Sequence, residues 1–198
     1  DEKKPYALIE LLAGLSAPTI PPIAGRLSID IAELDLQLFS IRNVSMVAIA
    51  DDVGWQVDEF VGQLAGDTQL SLAGRFDNVE GAPAFDGAFS LNTRRMDAIA
   101  RLWGAGEDPV LFDVPIQFDA DLSFADSALG LDNGTMTLEQ QTHTFAGMFS
   151  VGDKRTADIS ARFEELSSFE SQYIGAMMPP IDADSEIWRS FPSGAIDV

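Results

Sequence analysis

Residues 68–91 read Thr-Gln-Leu-Ser-Leu-Ala-Gly-Arg-Phe-Asp-Asn-Val-Glu-Gly-Ala-Pro-Ala-Phe-Asp-Gly-Ala-Phe-Ser-Leu, and their spacing decides the fold. Leu70, Leu72, Gly74 and Phe76 alternate with Ser71, Ala73 and Arg75. Beyond Asn78-Val79-Glu80-Gly81, the residues Phe85, Gly87, Phe89 and Leu91 alternate with Asp86, Ala88 and Ser90. A period of two sends successive side chains to opposite faces of a strand, and Gly81 supplies the positive φ that a tight turn needs. The stretch is a hairpin with one apolar and one polar face.

The same alternation extends in both directions. Upstream, Leu27, Ile29 and Ile31 alternate with Ser28, Asp30 and Ala32; downstream, Phe118, Ala120, Leu122 and Phe124 alternate with Asp119, Asp121 and Ser123. Thr135–Glu139, Phe145–Val151 and Thr156–Phe163 behave alike. Turn chemistry separates them at Asp52-Val53-Gly54, Asp132-Asn133-Gly134 and Val151-Gly152-Asp153, so consecutive strands pair as hairpins in an antiparallel meander.

Helical spacing is confined to short stretches. It occurs at Pro5–Leu15, at Val57–Leu64, at Arg95–Trp103 (Met96, Ile99, Ala100 and Trp103 on one face) and at Leu166–Met177 (Phe169, Tyr173, Ile174 and Met177), with a further turn over Asp184–Phe191. Pro18, Pro21 and Pro22 make an extended lead-in, and 104–109 reads as a loop between two halves. The expected fold is mainly β with a few short helices. It is a long curved antiparallel sheet, an open trough or partial barrel built from repeated hairpin units. The expected organisation is a lead-in over 1–25, a first β unit over 26–104 ending in a short helix, and a second over 105–198 ending in helices. The two units share one continuous sheet in a single domain.

An internal repeat supports the two units. Ala84-Phe85-Asp86-Gly87-Ala88-Phe89-Ser90-Leu91 matches Thr144-Phe145-Ala146-Gly147-Met148-Phe149-Ser150-Val151, sixty residues further on, as Phe-x-Gly-x-Phe-Ser-aliphatic. Each copy leads through a further segment to a helix-like stretch, as expected of a sheet extended by adding units.

Composition excludes several functions. Among 198 residues there are 12 Lys plus Arg and 32 Asp plus Glu, a net charge of −20. Such a chain lacks the basic clusters that neutralise phosphates, so it binds no nucleic acid and does not dock by charge on anionic headgroups. With 46% hydrophobic and 22% charged residues it is neither disordered nor a bundle of membrane spans. No run reaches the length of a helical span. The absence of cysteine excludes disulfides, thiolate zinc sites and cysteine nucleophiles. The opening Asp1-Glu2-Lys3-Lys4-Pro5 reads as a cut from a longer chain, with any anchor lying outside it.

No catalytic constellation emerges. The single histidine, His143, has no Gly-x-Ser-x-Gly partner and reads as a solvated residue on a strand. The acid pairs Asp51/Asp52, Asp119/Asp121 and Glu164/Glu165 carry no information in so acidic a chain, and Asp119 and Asp121 read as the wet face of a strand. Asp132-Asn133-Gly134 fails the calcium-loop register, because Leu129 and Leu131 fall where oxygen ligands belong, and reads as a hairpin turn. Phosphate-cradling glycine motifs are missing. No enzyme, metal site or cofactor is expected.

What remains is the apolar face: Leu70, Leu72, Phe76, Phe85, Phe89, Leu91, Phe118, Leu122, Phe124, Phe145, Phe149 and Phe163. Two readings stand. The face is an ordinary core against the helices, or part of it stays open as an apolar groove, because a long sheet with few helices lacks surface to cover it.

The run Ala65-Gly66-Asp67-Thr68-Gln69-Leu70-Ser71-Leu72-Ala73-Gly74-Arg75-Phe76, then Gly81-Ala82-Pro83-Ala84-Phe85-Asp86-Gly87-Ala88-Phe89-Ser90-Leu91, then Arg95–Trp103, resembles the AsmA family of bacterial envelope proteins. Gly54-Trp55-Gln56-Val57 fits the same pattern, as does Phe118–Phe163 as a second unit, so the likeness spans about residues 26–178. Phe stands for the commoner Leu in several strands, and Ala65 for the usual Pro. The resemblance implies a periplasmic protein anchored to the inner membrane, with an apolar β-groove. It further implies a role in outer-membrane homeostasis and phospholipid movement, and no catalytic residues. The expected function is the binding or conduction of phospholipid, or another acyl-chain lipid, in that groove. The alternative is a non-enzymatic assembly or scaffold factor that binds envelope protein partners at the sheet edge. A homodimer that buries the face between copies is a further expected arrangement.

Overall fold

The computed structural model of the chain describes residues 14, 16–19, 23–36, 39–103, 105–150, 156–178 and 196–197. The protein is mainly β. Nine antiparallel strands lie side by side in chain order in one open, unclosed sheet: β1 (Gly25–Leu36), β2 (Phe39–Ala50), β3 (Gly54–Leu64), β4 (Thr68–Val79), β5 (Ala82–Arg95), β6 (Phe112–Ala125), β7 (Ala128–Leu138), β8 (Gln141–Ser150) and β9 (Thr156–Arg162). A two-residue β10 (Ile196–Asp197) adds in parallel to β9. The described α-helices are short, α1 (Met96–Ala100) and α2 (Ser168–Met177), with 3-10 turns at Ala65–Asp67, Arg101–Trp103 and Pro109–Leu111. α1 and the 3-10 turns Arg101–Trp103 and Pro109–Leu111 lie between β5 and β6 in the chain, and these two strands pair directly, so the sheet runs unbroken past position 104.

Turn geometry follows from strand twist. Val79 pairs with Ala82, leaving the two-residue loop Glu80-Gly81 with φ of 54° and 90°. Two positive φ values match the twist of the flanking strands. The β6–β7 loop, Asp126-Ser127, does the same at 50° and 59° without a glycine, and Glu139 takes 57° between β7 and β8. In the β2–β3 turn, the Asp51 carboxylate accepts hydrogen bonds from the Val53 and Gly54 amides (2.9 and 3.0 Å) and a forked pair from the Arg75 guanidinium (2.6 and 2.7 Å).

Four expectations are corrected. Val57–Leu64 is not a helix but the second half of β3. An irregularity in its pairing with β4 falls between Val57 and Phe60, so Val57, Phe60, Gly62 and Leu64 share one face, and the three-residue step imitates helical spacing. Asp132-Asn133-Gly134 is not a hairpin turn. It lies inside β7, where Asn133 adopts φ 49° and the register with β8 shifts between Leu131 and Gly134. Asn tolerates left-handed backbone equally in a bulge and in a turn. The two repeat copies also continue differently: β5 runs directly into α1, whereas β8 is followed by β9 before α2. The fourth correction concerns His143 and is set out below with its surroundings. Apart from Gly14, the stretches Pro5–Leu15, Val151-Gly152-Asp153 and Asp184–Phe191 lie outside the described residues.

The helices and 3-10 turns gather at the end of the sheet where β5 finishes. There Leu64, Leu91, Met96, Ile99, Leu111, Ile116, Met136, Leu138 and Tyr173 form the buried core. α2 opens with a capping box: the Glu170 amide donates to Ser167 Oγ (3.1 Å) and the Ser167 amide donates to Glu170 Oε2 (2.8 Å).

Candidate functional site: the apolar face

The strand registers arrange one face of the sheet in ranks that cross the strands at right angles. One rank runs Ala50, Trp55, Phe76, Phe85, Phe124, Leu129, Phe149. The next passes through all nine strands as Leu27, Ala48, Val57, Gly74, Gly87, Leu122, Leu131, Gly147, Ile159. A third holds Ile29, Met46, Phe60, Leu72, Phe89 and Ala120. A fourth holds Leu70, Leu91, Phe118, Met136 and His143. Eleven of the twelve residues singled out from the sequence occupy these ranks or, for Phe145, pair with Gly134 beside the β7 bulge. Phe163, just past β9, packs against His143 with the rings tilted by 58° and their centroids 5.1 Å apart. All twelve therefore belong to one apolar surface.

The second rank is poor in side chains at Ala48, Gly74, Gly87 and Gly147, and neighbouring rings use that space. A methyl group on Gly74 would overlap the Phe85 ring, one on Gly134 the Phe145 ring, and one on Gly147 would press on the Phe149 ring. Of the two glycines in the repeated Phe-x-Gly-x-Phe motif, Gly147 leaves room for the Phe149 ring, whereas Gly87 allows a close backbone approach to Ala73 and Gly74.

Cover is uneven along the strands. Leu91 and Phe124 are buried and the other ten residues are half-buried. At the helix end, Leu91, Ile116, Met136 and Leu138 are sealed by α1, α2 and their turns. At the opposite end, the lead-in segment reaches the sheet: Trp55 Nε1 donates to the Thr19 carbonyl (3.1 Å) and Asn78 Nδ2 to the Pro18 carbonyl (3.5 Å). At the lateral margins of the second rank, Leu27 is 37% and Ile159 44% exposed.

His143 is not solvated. It is 3% exposed, in register with Met136, and its Nε2 lies 3.3 Å from Oε1 of Glu170, itself 1% exposed. The signal that could have found this burial is the parity of His143 with Phe145, Gly147 and Phe149, which places it on the apolar face, together with Ser167-x-x-Glu170, the pattern of a helix start. Their meeting could not be read from either signal. Close by, Asp97 of α1 is buried with the Arg95 guanidinium on it in two contacts (2.8 and 3.0 Å) and Arg101 at 3.6 Å. The Arg95 hydrogen bonds hold the Asp97 carboxyl below its ordinary range. The Tyr173 hydroxyl is pushed up, first by burial and then by the Asp97 charge.

The opposite face is polar. It carries a hollow of about 560 Å³ walled by acids and serines (Asp58, Glu59, Ser71, Ser90, Asp119 and Asp121) together with apolar residues such as Val61, Ala73 and Ala88. There Asp119 accepts from Gln117 Nε2 and Asp121 from Asn133 Nδ2 (2.8 and 2.7 Å). Glu164 and Glu165 are exposed, and Asp51 is engaged by Arg75. Among the described residues no three His, Asp or Glu side chains converge to hold a metal ion, and no helix is long and apolar enough to cross a membrane.

Fold and site together define an open antiparallel sheet with one aromatic-rich apolar face and one acidic face. Comparison with protein-family models, with curated proteins and with solved structures found no match.

Proposed function

We propose that this chain is a non-enzymatic module of the AsmA type, which binds or conducts phospholipid along its apolar sheet face in support of outer-membrane homeostasis. On this reading it works in the periplasm, held to the inner membrane by a part of the full-length protein beyond this chain. One observation carries the proposal: an unbroken apolar rank passes through nine strands of a sheet that never closes, buried at Ala48 and Val57, half-buried from Gly74 to Gly147 and exposed at its margins, Leu27 and Ile159. Exposing an acyl chain to water costs about 0.8 kcal/mol per CH₂, over ~10 kcal/mol for a whole tail. A greasy track removes that cost while the headgroup stays wet. The acidic reverse face keeps such a sheet soluble.

Native mass spectrometry of the protein purified from a bacterial periplasm tests this. Bound phospholipid is expected, and Leu72→Asp or Phe89→Asp, at paired half-buried positions of the third rank, should strip it while the far-ultraviolet circular dichroism and a cooperative melt persist. A lipid-free wild-type protein, or variants that unfold instead of losing lipid, would sink the proposal.

A further inference from the structure

The two margins of the sheet are not equivalent. β9 is met by β10 at Ile159 and Ser160. Among the described residues β1 pairs with β2 alone, so one side of a twelve-residue strand presents unsatisfied backbone donors and acceptors. Sheet proteins usually blunt such an edge with charged side chains, lysine above all, with proline or with a short strand; the charges of β1 are Arg26 and the acids Asp30, Glu33 and Asp35. β1, Gly-Arg-Leu-Ser-Ile-Asp-Ile-Ala-Glu-Leu-Asp-Leu, contains no lysine and no proline.

Its two faces specify what would fit. Leu27 and Ile29 carry the second and third ranks to the margin, and Ile31, Leu34 and Leu36 pack against the buried core. On the polar face Asp30, Glu33 and Asp35 are exposed, and among the described residues none of the three has an ion-pair partner. Opposite them on β2 stand Ser45, Arg42 and Ser40, and Arg42 is engaged by Asp67 (3.3 Å). An incoming strand would set cross-strand side chains against these acids, where opposite charges favour pairing and like charges oppose it.

We propose that the free edge of β1 is a docking site for an extended segment of a partner protein in which apolar residues alternate with Lys or Arg. The backbone ladder of β1 supplies affinity, the apolar residues continue the greasy face, and basic residues two apart pair with Glu33 and Asp35, beside the further negative charge of Asp30. A second copy of this chain is a poor occupant, because three acids to one arginine on the polar face of β1 would set like charges together.

A fluorescein-labelled ten-residue peptide alternating Val with Lys is the reagent, titrated against the whole chain by fluorescence anisotropy. Saturable binding that weakens with salt is expected, together with slowed amide exchange confined to β1. N-methylation of alternate peptide residues keeps the charge but removes ladder bonds, and should cut affinity at least tenfold. Asp30→Lys/Glu33→Lys/Asp35→Lys should do likewise and gain binding of the Val/Glu peptide. Asp86→Lys/Asp119→Lys/Asp121→Lys, an equal charge change in mid-sheet, should stay within twofold of wild type. Equal effects of the two sets of swaps, or an N-methylated peptide that binds as well as its parent, would reduce the attraction to bulk charge and overturn the proposal. A concentration-dependent dimer with the β1 edge protected in the absence of peptide would overturn it in favour of self-pairing.

Discussion

His143 on β8 and Glu170 on α2 meet inside the protein, Nε2 to Oε1 at 3.3 Å, and this contact ties the second helix to the sheet. Glu170 has two tasks, because its other oxygen accepts the Ser167 amide and closes the helix start. Ser167→Ala should cost about 1 kcal/mol, the usual loss for a cap. Glu170→Ala removes the cap partner and leaves His143 alone in an apolar setting, so it should cost more than Ser167→Ala, with Glu170→Gln between wild type and Glu170→Ala. Urea midpoints of the three variants check the order. A Glu170→Ala protein as stable as wild type would mean that the contact ties nothing.

Stability should fall in acid for a definite reason. The Glu170 carboxyl is held below its ordinary 4.5 by the Ser167 amide and hydroxyl and by His143, and Asp97 below 3.8 by Arg95. Asp51 is lowered most by Arg75, with help from the Val53 and Gly54 amides. Each is a depressed carboxyl, so the folded chain binds its proton less tightly than the unfolded chain. The stabilisation is complete above the ordinary carboxyl values and is lost as pH falls through the lowered ones. Melting temperature should be level from about pH 6 to pH 8 and drop below about pH 4. Asp97→Asn should flatten that acid slope, and an unchanged slope would remove Asp97 from the account.

Tyr173 is fully buried and its hydroxyl has no hydrogen-bond partner among the described residues. A polar atom stranded in that way gains nothing from folding and loses its water. Tyr173→Phe keeps the ring against Phe169, with centroids 5.9 Å apart, and discards the stranded oxygen. The variant should match or exceed wild-type stability by up to about 1 kcal/mol. A marked loss in thermal unfolding would show that the hydroxyl has a partner in solution.

The strands were legible because their faces differ. Leu70, Leu72, Phe85, Phe89 and Leu91 announced the apolar side of β4 and β5 by alternation alone, and the registers put them together. Legibility failed where the period slips. A bulge costs one residue of phase, so Val57 and Phe60 imitated a helix and Asn133 imitated a turn. The glycine-free turns at Asp126-Ser127 and Glu139 carried too weak a local signal. The apolar membership of Phe118, Phe124 and Phe149 was readable, but its cover was not. How far α1, α2 and the lead-in shield each rank depends on contacts between residues distant in the chain, such as Trp55 with Thr19. The burial of His143 has the same origin, since Glu170 approaches it from a helix 27 residues away.

Gly74 and Gly87 face each other across β4 and β5, between the Phe76–Phe85 and Leu72–Phe89 pairs. A methyl group on Gly87 would strike the Ala73 carbonyl and the Gly74 Cα, both backbone, so no side-chain rotation relieves it. Gly87→Ala should therefore cost about 1–3 kcal/mol, the range for overpacking, and should spread the strands under the aromatic ranks. Gly175, on the exposed side of α2, makes the control: a Cβ there meets nothing within 4 Å. Replacing a helical glycine with alanine removes unfolded-state freedom without a clash, so Gly175→Ala should stabilise by about 0.5–1 kcal/mol. Opposite signs in chemical denaturation are the expected result. If Gly87→Ala is neutral, the close approach of β4 and β5 is not needed to seat Phe85, and the repeated Phe-x-Gly-x-Phe motif loses its packing explanation.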